Sequence, residues 1–221
     1  MGLVLAQGVS FVRLGERAIF LDLRSDRYFG LSARSEAAFL RLMEPDSSVD
    51  ADTEILDGLV RDGILEQTTR PGSIMPFKPA SPPATNLLDG ERLPVGAWRQ
   101  ARAAWALKRS QHELKTRPLY DLVGQLSACR PEHDWSSNIT EDARRICWAF
   151  EAAGLVVTPL RNCLSRSLAL AGTLRAGGHA CELVIGVAIN PFQAHAWVQA
   201  GDTLLNDRLE RVRQFTPILA V

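Results

Sequence analysis

The chain has 221 residues, 46% of them apolar, and its 25 basic side chains are balanced by 25 acidic ones. That length and apolar content suit one large domain or two small ones with buried cores. They give no basic surplus for nucleic acid, no apolar run approaching the ~18 residues of a bilayer span, and no secretory-type N-terminus, so a cytoplasmic protein with no membrane partner is expected.

From the N-terminus, "VSFVRLG", "RAIFLDLRS" and "DRYFGLS" predict three short strands across residues 9–32, separated by Gly15-Glu16 and Ser25-Asp26. Two helices follow. Ser32 can cap the first, whose apolar face is Phe39, Leu42 and Met43. The second, near 52–61, presents Ile55, Leu56, Leu59 and Val60; Gly63 ends it, and "ILEQ" continues as extended chain. Three strands followed by helices make a small α+β module of winged-helix size over residues 1–70.

The composition then shifts. Residues 71–95 are rich in proline and show little periodicity, which predicts a linker that is partly polyproline-like.

Residues 96–221 begin with helical patterns. Trp98, Ala101 and Trp105 share one face, and Leu119, Leu122, Val123 and Leu126 share another. Thr140 can cap a helix presenting Ile146, Cys147 and Phe150. Trp98, Trp105, Trp135 and Trp148 are expected in the core, and His112 and His133 on the surface. Another helix starts at Cys163, with Leu164, Leu168, Ala171 and Leu174 as its stripe, and stops at Gly177-Gly178. "CELVIGVAI" is apolar on both faces, as a central strand requires. "AHAWVQ" and "TLLND" are two more strands, joined by the Ala200-Gly201-Asp202 turn.

The four cysteines, Cys129, Cys147, Cys163 and Cys181, include no CxxC pair. Cys129 and His133 have a C-x3-H spacing but no second ligand pair, so no metal is expected. Cys163 alone is compatible with a small buried apolar residue. Its place at a helix start is also where a thiol pKa falls and where free N–H groups can stabilise an oxyanion. His195 and Asp207 lie six residues on either side of Gly201. In a hairpin with an odd-numbered turn centred there, they oppose each other, and the acid can accept the Nδ1–H bond of the imidazole. A two-residue turn, Gly201-Asp202, would instead put them on opposite faces. Trp197, two residues along the strand, shares the face of His195 and is expected to pack. His179 and Cys181 need only loop and packing roles.

Cysteine at a helix start, histidine on a strand and aspartate on the next is a nucleophile, base and orienter order. It is the order of transglutaminase-like and papain-like cysteine enzymes. The motifs C-L-x-x-S-L-A-L, "LVIGV", "PFQAHAWV" and the closing "ND", from Cys163 to Asp207, resemble the leader peptidase, or B protein, of lasso peptide biosynthesis. "LDLRSDRYFGLS" and "GLVRDGILE" resemble the PqqD-type precursor recognition element of the same systems, so the chain looks like a fused B protein.

The resemblance implies an α+β fold with a winged-helix-like, PqqD-like domain (1–70), a linker (71–95) and a transglutaminase/papain-like cysteine peptidase domain (96–221). It implies Cys163 as nucleophile, His195 as base and Asp207 as orienter, with no cofactor. The substrate would be the leader–core bond of a ribosomally made precursor peptide, and the partner an ATP-dependent, asparagine-synthetase-like lasso cyclase. The leader would add as a strand to the edge formed by "DRYFGLS", with Tyr28, Phe29, Leu56 and Leu59 as pocket residues. Asn162 and Arg161 precede the nucleophile, and a part for either in an oxyanion hole stays open. Two other functions fit the same residues: a non-catalytic precursor-binding scaffold, and a thiol acyltransferase whose acyl-enzyme is resolved by an amine. DNA binding by the N-terminal module is disfavoured, since Ile55 to Val60 carries Asp57 and no basic residue.

Overall fold

In the computed structural model, which describes residues 2–44, 52–69, 74–79, 81–129, 139–157 and 162–221, the stretch from Val9 to Gly30 is an antiparallel meander. Its strands are β2 (Val9–Leu14), β3 (Arg17–Asp22) and β4 (Arg27–Gly30), preceded by β1 (Gly2–Leu5). Phe11, Phe20 and Phe29 stand in register across the three strands. Helix α1 (Ala33–Leu42) begins where the Ser32 hydroxyl accepts the Ser35 N–H at 3.2 Å. Such a cap is worth about 1 kcal/mol. Helix α2 (Thr53–Arg61) is followed by Gly63 at φ +72°, the left-handed conformation that glycine adopts without strain.

The "ILEQ" segment supplies strand β5 (Leu65–Thr68), which pairs antiparallel with β1, with Leu5 opposite Leu65. Sequence patterning missed β1, whose four residues are too few to show a period. Phe39 of α1 meets Phe11 and Phe20 edge-on at 5.0 and 5.1 Å. A buried carboxylate, Glu36, ties α1 to β3: it accepts the Ala18 N–H and pairs with Arg17 at 3.1 Å.

Leu56 and Leu59, expected as pocket residues, are 2% and 4% exposed and packed inside this core. Their helical stripe is the one that holds α2 on the module. Tyr28 and Phe29 are half-buried on β4, an outer strand of the meander, and Phe29 stacks on Phe20 at 5.3 Å.

The chain divides into two units, Met1–Lys78 and Pro79–Val221. The proline-rich stretch contributes to both. Ile74 is buried in the first core and the Phe77 N–H donates to the Phe11 carbonyl at 2.8 Å. In the second unit, Thr85–Asn86 forms strand β6 and Leu87 is buried.

In the second unit one long helix packs on a five-stranded sheet, and three further long helices pack with it. The helices are α3 (Ala97–Thr116), α4 (Leu119–Ala128), α5 (Glu141–Val157) and, on the sheet, α6 (Cys163–Ala176). The remaining strands are β7 (Glu182–Ala188), β8 (Gln193–Ala200), β9 (Thr203–Leu204) and β10 (Thr216–Ala220), with α7 (Leu209–Val212) before the last. Their order is β10-β7-β8-β9-β6, so the doubly apolar β7 lies between β8 and β10. Leu107, Phe150, Leu170 and Leu174 pack with Leu183 and Val198 of the sheet. Buried Arg175 donates to the carbonyls of Cys181 and Leu126, fastening the end of α4 to the loop after α6.

Trp148 lies in this core at 8% exposure, but Trp98 and Trp105 are 74% and 63% exposed. Their shared face on α3 points away from the core, a choice that periodicity alone does not make. Trp135 and His133 lie outside the described residues. No described helix is long and apolar enough to cross a membrane.

Candidate functional site

Helix α6, strand β8 and the segment after β9 bring Cys163, His195 and Asp207 together. Cys163 opens α6, half-buried, after Asn162 at φ −107° and ψ 45°. The Asn162 carbonyl already accepts the Arg166 N–H at 3.1 Å and the Ser165 hydroxyl at 3.1 Å, while its side chain makes no cap bond. The N–H groups of this first turn lie beside the sulfur, and that of Leu164 bonds it. Arg161 lies outside the described residues.

His195 sits three residues into β8, opposite Gly186, and is 4% exposed. Its ring lies 5.0 Å from that of Phe215 and 6.3 Å from that of Trp197. Gly186 leaves the space for this aromatic group. A Cβ there would stand 2.8 Å from two Trp197 ring atoms and 3.0 Å from Phe215 Cβ. Trp197 is itself fixed, because its Nε1 donates to Gln199 Oε1 at 3.0 Å.

The expected hairpin register is corrected. Ala200 opposes Thr203 and Gln199 opposes Leu204, so the turn is the two-residue Gly201-Asp202, with Gly201 at φ +57°. A continued ladder would carry Asp207 to the face away from His195. It does not continue. The Leu205 N–H still donates to the Val198 carbonyl at 2.9 Å, but the Val198 N–H goes to Asn206 Oδ1 at 2.8 Å rather than to a strand carbonyl. The chain leaves the sheet there, and Asp207 Oδ2 turns back onto His195.

A second correction concerns the ring nitrogen. Asp207 engages Nε2, not Nδ1, which leaves Nδ1 for the thiol.

The electrostatics follow from these contacts. Burial pushes the Cys163 thiol up. The hydrogen bond and charge of His195, with the N–H groups of Ala196 and Leu164, outweigh it and hold the thiol below its ordinary value. Burial pulls His195 down, but its bonds to Asp207 and Cys163 raise it to about 8. Burial works against the Asp207 carboxylate too, yet His195, the Arg208 N–H and the charge of Arg211 keep it below the usual carboxylate range. Both members of the thiol–imidazole pair thus shift toward thiolate and imidazolium.

The buried thiols go the other way. Burial pushes Cys147 far up and Cys181 to about 11, so neither is a competing nucleophile at neutral pH. Cys129 is exposed. His179, past the other end of α6, bonds Asp142 at 3.3 Å and Thr140 at 3.4 Å, with Arg99 completing a surface tie at 2.9 Å.

Three comparisons bear on this arrangement. Residues 97–220 match the family described as the transglutaminase-like superfamily. No curated protein and no solved structure matches the chain.

Proposed function

Because the chain belongs to the transglutaminase-like superfamily, which includes cysteine peptidases and acyltransferases, we propose that it is a cysteine endopeptidase that removes the leader from a ribosomally made lasso peptide precursor. The observation that carries this reading is the convergence of a lowered thiol, a buried imidazole and a carboxylate at the start of α6.

In this mechanism the Cys163 thiolate attacks the carbonyl carbon of the leader–core bond. The N–H groups of the first α6 turn receive the negative charge on the carbonyl oxygen. The His195 imidazolium gives its proton to the departing core amine, leaving the leader as a thioester on Cys163. Neutral His195 then takes a proton from water, whose oxygen attacks the thioester and frees the thiol. Asp207 holds the ring throughout and stabilises its charged form. A non-catalytic scaffold would not need this complete set. If the thioester met an amine instead of water, the same groups would perform acyl transfer.

The N-terminal unit, in this reading a PqqD-like recognition domain, holds the leader by strand addition to β4. β4 pairs with β3 on one side and is an outer strand of its sheet, where strand addition takes place. Tyr28 and Phe29 supply the local side-chain specificity. The partners are the precursor and, downstream, an ATP-dependent cyclase that closes the macrolactam; the compartment is the cytoplasm.

Tyr28→Asp in the full chain is expected to raise the leader-peptide Kd by about tenfold or more, a loss of roughly 1.4 kcal/mol. Fluorescence anisotropy of a labelled leader checks it, with thermal unfolding as the control for folding. A folded variant that binds and cleaves like the parent would leave the N-terminal unit without the recognition role.

A further inference from the structure

Each member of the Cys163–His195–Asp207 group has a neighbour in a second, partly buried set of hydrogen bonds. Ser167 lies one helical turn after Cys163 on α6, Ala196 follows His195 on β8, and Asn206 precedes Asp207. The Ser167 hydroxyl, 0% exposed, donates to the Ala196 carbonyl at 3.0 Å. It accepts Asn206 Nδ2 at 2.9 Å, and Asn206 Oδ1 accepts the Val198 N–H at 2.8 Å. The Asn206 amide is thus engaged at both ends, and flipping it would set its NH2 against the Val198 N–H. These are the bonds that take the chain out of the β9 ladder one residue before Asp207.

We propose that Asn206 and Ser167 are positioning residues that latch the Asp207 segment to α6 and β8, so that the carboxylate reaches His195 despite the register of the hairpin. Their hydrogen bonds run to the Ala196 carbonyl, the Val198 N–H and each other, so they act through the placing of Asp207. The inference rests on reading Cys163 as the nucleophile for its functional meaning, but its geometry does not depend on what substrate is cut.

The charged and titratable groups facing the pair are Cys163 from α6, His195 from β8, Asp207 from the segment after β9, and Arg211 from α7 acting on Asp207. With the latch removed, Asp207 is free to leave the imidazolium, which then stabilises the thiolate less.

The experiment follows the pH dependence of iodoacetamide alkylation at Cys163, read by mass spectrometry of its peptide, and needs no turnover. Asn206→Ala and Ser167→Ala should both raise the alkylation midpoint, lowering the rate near pH 6 by about tenfold for each unit of thiol pKa gained. Asp207→Ala should shift it the same way, and Asn206→Ala added to Asp207→Ala should shift it no further, because the latch works through the carboxylate. An unmoved midpoint in folded Asn206→Ala, or a shift that adds in full to that of Asp207→Ala, would overturn the proposal. So would the unfolding of both single variants, since the bonds would then hold the unit together rather than place the acid. If the midpoints move as expected while Cys163→Ala still cleaves precursor, the latch stands and the peptidase reading fails.

Discussion

Cys163→Ala is expected to remove leader cleavage altogether while leaving the fold and leader binding in place. The side chain is half-buried at the start of α6, where alanine is a good helix former and leaves no large cavity. Chemically the loss is complete, because burial pushes the thiols of Cys147 and Cys181 up, and only Cys163 bonds the buried His195. Removing a nucleophile that works as one unit with its base costs about 10⁶-fold in kcat in enzymes of this kind of chemistry. Liquid chromatography of precursor incubated with the variant checks the rate, and anisotropy checks binding. Retained cleavage would move the chemistry elsewhere.

Asp207→Asn is expected to lower kcat by about 10²- to 10⁴-fold, with a smaller effect on leader binding. The amide occupies nearly the same volume and can still contact Nε2, so the change isolates charge from shape. Burial alone would depress His195, and it is the Asp207 bond, helped by Cys163, that raises it to about 8. The imidazolium half of the active pair is lost as pH rises past about 8, so parent activity should fall through that limit. In Asp207→Asn the imidazolium is less stable, so the alkaline limb should move to lower pH. An alkaline limb unchanged in the variant would detach Asp207 from His195 function.

The contrast between the triad and its register shows what a sequence can carry. Residue types and order around Cys163, His195 and Asp207 are local chemical facts, and the three do converge. The path that brings them together was not legible, because "AGDT" is compatible with turns of two or three residues. The two-residue turn was chosen, and Asn206 then took over the acceptor role that a continuing strand carbonyl would have filled. In the closing "ND" motif Asp207 has the residue type of an orienter, while the bonds of Asn206 to Val198 and Ser167 show only in the fold.

Burial was harder to read than periodicity. Trp98 and Trp105 have the spacing of a core stripe but face solvent, while Leu56 and Leu59, expected to line a peptide pocket, pack in the core. A helical period fixes which residues share a face, and only tertiary packing decides what that face meets. The buried Ile74 and Leu87 lie in the proline-rich stretch in apolar pairs, Ile74-Met75 and Leu87-Leu88, that are too short to form a period. β10 was missed because "TPILA" is short and begins with a proline-containing, non-alternating run.

Water or an amine as the final acceptor separates the peptidase from the acyltransferase that the same family chemistry permits. The measurement is mass spectrometry of products from the full-length precursor incubated with the parent chain in H₂¹⁸O, with and without added primary amine. The account predicts a leader fragment carrying one ¹⁸O at its new carboxylate and a core fragment with a free amino terminus, in the presence or absence of the amine. A leader joined to the amine as the main product, or precursor left whole by a folded chain that binds it, would contradict it.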